Sequence, residues 1–142
     1  MARTTANFRA LRETIGLTQG DVADACGVSL RTVKRWEHPD WPEPPEDAWD
    51  WLLDMHDRHD ALVDEAVGRV FSIAGERGEP KSVIITYYRD QAQYDAHGRD
   101  PGPYGFANAV AREVALELGE EGIEAEFRYP DEGAIVTPGS RY

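Results

Sequence analysis

The stretch QGDVADACGVSLRTVKRWE, Gln19 to Glu37, decides how the first third of the chain folds. Thr18 stands before it as an N-cap residue, able to accept a hydrogen bond from a free backbone N–H of the first helical turn, and Val22 and Ala23 follow on the inner side of a short helix. Gly27 stops that helix, since glycine enters the left-handed conformation at no steric cost. Ser29 then caps a second helix, running from Leu30 to about Glu37. A small side chain is needed at Ala23, where two such helices cross closely, and Val22, Cys26, Val28, Val33 and Trp36 are expected to fill the seam. Counted from Gln19, the constrained sites fall at the fifth (Ala23), ninth (Gly27), fifteenth (Val33) and eighteenth (Trp36) positions. An alanine and a glycine four apart would mean little; the full ordered set is the helix-turn-helix template.

Upstream, Phe8, Leu11 and Ile15 are spaced three and four apart and predict a preceding helix with one apolar face, ended by Gly16. Downstream, Pro39, Pro42, Pro44 and Pro45 interrupt any helix and predict a stiff connector, where the main domain boundary is expected. From Glu46, Trp49, Leu52, Met55, His59, Leu62, Ala66, Val70 and Ile73 recur at three and four, predicting a helix of about thirty residues up to Gly75 and Gly78, with Gly68 costing about 1 kcal/mol. Lys81 to Tyr88, rich in β-branched and aromatic residues, reads as a buried strand. A short helical piece over Asp90 to His97 and a Gly/Pro loop from Gly98 to Pro103 lead to a helix over Tyr104 to Leu118. Ile123 to Tyr129 alternates apolar and charged residues as a half-buried strand should, and Pro130 to Tyr142 reads as a loose tail. The expected fold class is α+β: an all-helical head with its linker over 1–45, a long helix and small α+β domain over 46–129, and a tail over 130–142.

The 142 residues, 41% apolar and 30% charged, have the composition of an ordinary globular protein. No run approaches the roughly 18 apolar residues of a membrane span and the start carries no apolar leader, so a cytoplasmic protein without membrane contact is expected. The lone Cys26 offers neither an intramolecular disulfide nor a zinc site. A net charge of -12 argues against a polyanionic partner until its distribution is considered. Residues 1–37 hold six basic side chains (Arg3, Arg9, Arg12, Arg31, Lys34, Arg35) against four acidic ones (Glu13, Asp21, Asp24, Glu37), so the acidic excess belongs wholly to the remainder.

A helix of this kind enters the DNA major groove through its outward residues while its predecessor crosses the backbone. Arg31 and Arg35, four apart, can share a face and bond guanine O6 and N7 bidentately; Leu30 and Thr32 complete the set of expected base contacts. Thr18, Gln19, Ser29 and Lys34 are placed to meet phosphate. A helix pair that packs but binds only protein is the plainer alternative, and three cations on one short helix weigh against it.

Residues 8–37, about a fifth of the chain, resemble the Cro/C1-type (lambda repressor-like) family, in which LTQGDVADACGVS is followed by a recognition helix ending in a Trp-Glu pair, here Trp36 and Glu37. The whole layout is also similar to the YdiL-like, anti-CRISPR-associated autorepressor group, through PEPPEDAWDWLLDM after the head, the paired Tyr87 and Tyr88, and a final helix and strand. That resemblance implies a C-terminal homodimer repressing its own operon at an inverted repeat, with Arg31 contacting a base. Physics favours pairing independently, because two heads spaced by one DNA turn, roughly 34 Å, read twice the sequence. The apolar stripe of the long helix can serve such an interface or be satisfied within one subunit.

Other constellations carry less. His56, His59 and Asp60 fall at helical spacing but lack further metal ligands, and Asp50, Asp54, Asp57, Asp60 and Asp64 lack the glycine and spacing of a calcium loop. Tyr87, Tyr88, Tyr94, His97 and Tyr104 can line a small pocket, though aromatic residues on a buried strand more often form core. No nucleophile-base pair, phosphate loop or cofactor fingerprint is present, so neither an enzyme nor a cofactor is expected. The reading is a homodimeric, DNA-binding repressor. The alternative is an antitoxin whose head binds its operon while the acidic C-terminal part binds a toxin or another protein, and a third reading is an effector-responsive regulator.

Overall fold

A computed structural model describes residues 2–78 and 80–131. In chain order it contains α1 (Thr5–Thr14), α2 (Gln19–Cys26), α3 (Leu30–Trp36), α4 (Glu46–Arg77), β1 (Ser82–Thr86), α5 (Gln91–His97), α6 (Tyr104–Glu120) and β2 (Glu124–Arg128). A helical N-terminal region followed by helices and two strands is a mixed α+β architecture. Among the described residues no helix is long and apolar enough to cross a membrane. The chain divides into two compact units, residues 1–58 and 59–142.

The first unit is built on the spacings seen in the sequence. Thr4 caps α1 by accepting from the N–H of Asn7, and Phe8, Leu11 and Ile15 are buried along one face. Leu17 from the turn before α2, Val22 from α2, and Val33 and Trp36 from α3 close the core. Phe8 lies at its centre, edge-on to Trp36 at 6.0 Å and to Trp49 at 5.1 Å. Trp49 belongs to α4, and with Ala48 and Leu52 it is buried in this unit. The division at Arg58 therefore differs from the boundary expected at the prolines. Proline stops one helix but also suits the start of the next. The carbonyl of Pro45 accepts from the N–H groups of Ala48 and Trp49, so the connector launches α4 into the same core.

Further along α4, His59, Val63 and Ala66 are buried, while Met55, Leu62 and Val70 are only half-buried and Ile73 is 50% exposed. The three-and-four spacing located the helix correctly and overstated the length of its buried face. Spacing shows that residues share a face; burial depends on what is opposite.

In the second unit β1 and β2 run parallel, Ser82 opposite Glu124 and Thr86 opposite Arg128, with α5 and α6 between them in sequence. Phe106, Ala109, Val110, Ala111, Val114 and Leu118 form the buried face of α6. Asn108 is buried among them and bonded through both amide atoms: its Oδ1 accepts from Tyr88 N at 2.9 Å and its Nδ2 donates to Tyr88 O at 2.8 Å. Asp90 caps α5. Pro103 gives α6 no side-chain cap, and Gln91 takes that part, accepting from Tyr104 N and donating to Gly102 O. Tyr88 and Tyr94 are packing groups, buried and meeting edge-on at 4.8 Å, while Tyr87 and Tyr104 are half-buried.

The alternation over 123–129 predicted a half-buried strand, and it holds except at one position: Ile123 is buried, Ala125 and Tyr129 are half-buried and Glu124, Glu126 and Arg128 are exposed, but Phe127 is exposed as well. Ile85 of β1 is 1% exposed whereas its neighbour in register, Phe127, is 43% exposed. Two strands make a narrow sheet, and alternation separates its faces without guaranteeing that either is covered. Glu117 on α6 is held above the ordinary carboxylate range, first by burial and then by Glu113, Asp64, Glu120 and Asp60, which marks how densely acidic this unit is. The expected loose tail lies outside the described residues from 132 onward.

Candidate nucleic-acid interface

The helix pair forms through local chemistry. Thr18 and Asp21 make a capping box, Thr18 Oγ1 accepting from Asp21 N at 3.0 Å and Asp21 Oδ2 accepting from Thr18 N at 2.8 Å. At the other end of α2, Gly27 is left-handed with φ +66°, and its N–H bonds to Ala23 O. A Cβ there would meet nothing within 4 Å, so the requirement for glycine is conformational and not steric. Gly27→Ala is accordingly expected to cost about 1–2 kcal/mol in urea unfolding, the strain of a left-handed alanine; an unchanged midpoint would mean that the turn relaxes freely.

Ser29 caps α3 by accepting from Thr32 N, and the Ser29 and Thr32 hydroxyls lie 3.0 Å apart. Whichever hydroxyl donates, one proton of the pair stays available to an outside acceptor. Val33 and Trp36 are buried, and Leu30, Arg31, Lys34 and Arg35 are exposed. Among the described residues neither Arg31 nor Lys34 is in an ion pair, while the guanidinium of Arg35 lies 4.5 Å from the ring centroid of Trp41. The expected base contacts thus occupy one outer surface, with Thr32 half-buried at its edge.

Three features were not anticipated. Arg12 and Glu37, 25 residues apart, form a bidentate ion pair: Nε to Oε2 at 2.7 Å and Nη2 to Oε1 at 2.8 Å, with Arg12 Nη1 also bonding Leu17 O. Their side chains are 9% and 2% exposed. Arg12 therefore belongs to the interior of the head and not to its cationic surface. Gln19, expected to meet phosphate, already gives one amide N–H to Glu37 Oε1 at 3.2 Å. The Trp36-Glu37 pair was visible in the sequence, but nothing there said which cation would meet the carboxylate. The seam is also less filled than expected, since Cys26 and Val28 are only half-buried. Burial, and then Asp47, push the Cys26 thiol above its ordinary value.

No curated protein matches the chain. The family model of a helix-turn-helix domain matches residues 5–66, a span that takes in α1 to α3, the Pro-rich connector and the first part of α4. The match and the geometry agree that the N-terminal part is a helix-turn-helix domain, the hallmark of a DNA-binding regulator.

Proposed function

We propose that the protein is a transcriptional repressor that binds an inverted-repeat operator as a homodimer and controls its own expression. The observation that carries the DNA-binding part of this reading is the outer surface of α3, where Leu30, Arg31 and Arg35 are exposed beside Thr32 while Val33 and Trp36 are buried. In this assignment Arg31 and Arg35 read bases, with Leu30 and Thr32 beside them. Thr18, Ser29 and Lys34 meet phosphate, and Gln19 does so through the amide N–H that Glu37 leaves unused. Exposure of large apolar side chains in the second unit, Phe71, Ile73, Leu116 and Phe127, supports pairing there. The acidic excess of residues 38–142 supports a second reading, an antitoxin that also binds a basic protein; a partner that co-purifies stoichiometrically would favour it.

The test is a salt-varied titration against the DNA upstream of the gene and an unrelated duplex. Arg31→Ala is expected to lose about 1–3 kcal/mol on the operator and to relax preference at one base pair, because a bidentate contact to guanine is lost. Lys34→Ala is expected to weaken both duplexes alike and to reduce the salt slope by about one, as for a phosphate contact. Retention of affinity and base preference by Arg31→Ala would sink the assignment of α3.

A further inference from the structure

We propose that Trp41 is a positioning residue for operator recognition, holding Arg35 in the orientation in which it reads DNA. The inference rests on the reading of α3 as the recognition helix.

Trp41 lies outside the helix-turn-helix proper, in the Pro-rich segment that the sequence marks only as a connector. Its indole is 46% exposed and contributes little to the core. Yet its backbone is tied to the end of α3 by consecutive turns: His38 N donates to Arg35 O, Trp41 N donates to His38 O, both at 3.1 Å, and Asp40 N donates to His38 Nδ1 at 3.2 Å. Pro39 fixes one φ within this turn, and Pro42 directly after it restricts the backbone of Trp41. The turn thus sets the indole beside the end of α3, with the Arg35 guanidinium 4.5 Å from its ring centroid.

The chemistry of that contact distinguishes Arg35 from Arg12. Arg12 gives its N–H groups to Glu37 and Leu17, so it has little left for an external partner. A guanidinium stacked on an indole offers only its π-face, and its N–H groups stay in the plane, pointing outward. Trp41 therefore removes side-chain freedom from Arg35 without consuming a donor, which is what a bidentate base contact needs. A carboxylate partner in the same place would hold Arg35 equally well and silence it.

Two measurements on the full chain test this. In the free protein, NMR should show the Arg35 side-chain protons shifted upfield by the indole ring current, an effect lost in Trp41→Ala and reduced in Trp41→Phe. In binding, against a duplex selected by the wild type from a random pool and against an unrelated one, Trp41→Ala should lose about two- to five-fold affinity for the selected duplex. It should lose little for the unrelated one, Trp41→Phe should restore most of the loss, and the thermal midpoint should hold. In an Arg35→Ala background, Trp41→Ala should add nothing further. Absence of the ring-current shift, equal losses on both duplexes, or additive losses in the cycle would overturn the proposal. A wild type that does not discriminate between duplexes would instead overturn the recognition-helix reading, and this role with it.

Discussion

Glu37→Ala is expected to destabilise the N-terminal unit by about 3–5 kcal/mol, the usual cost of removing one partner from a buried ion pair. The Arg12 guanidinium would remain in a site where it is 9% exposed, with the Leu17 carbonyl and without the carboxylate that takes two of its N–H bonds. Gln19 would lose its acceptor as well. The pair joins α1 to the residue that closes α3, so its loss should also loosen the frame that carries α3. Urea unfolding measures the loss. A cost below about 1 kcal/mol would mean that water reaches Arg12 on truncation and that the pair behaves as a surface bridge. The double replacement Arg12→Met with Glu37→Leu should recover much of the loss, because an apolar pair leaves no buried charge unpaired.

Trp49→Ala should cost a comparable amount, about 3–5 kcal/mol, by opening a cavity beside Phe8 in the centre of the first unit. Trp49→Phe should cost far less. Among the described residues the buried Trp49 Nε1 has no hydrogen-bond partner, so phenylalanine gives up no polar contact there and retains an aromatic edge against Phe8. Thermal unfolding of the two variants checks this; a phenylalanine variant as unstable as the alanine one would mean that the indole nitrogen is bonded in solution. Trp49 also shows why the head does not end at the prolines: the helix that follows them supplies Ala48, Trp49 and Leu52 to its core.

The helices and the turn of Gln19 to Glu37 were legible in the sequence because caps and turns are local. A cap needs a hydroxyl three residues from an N–H, as in Thr18 with Asp21 and Ser29 with Thr32, and a tight turn needs a residue free to take positive φ, as Gly27 does. The inward set of α3 followed from helical period alone, and the start of α4 followed from the last proline.

Partners distant in the chain were decided by folding. Arg12 counts in the sequence as one more cation for DNA, and only the approach of α1 to the end of α3 turns it inward onto Glu37. Arg35 is one of three cations on a short helix until the turn over 38–41 lays Trp41 against it. Phe127 has the alternation of a buried position and is exposed, while Ile85 beside it is not. Period and capping depend on a residue's near neighbours and are written in their order; charge pairing and burial depend on which surfaces meet, and that is settled only when the chain has closed on itself.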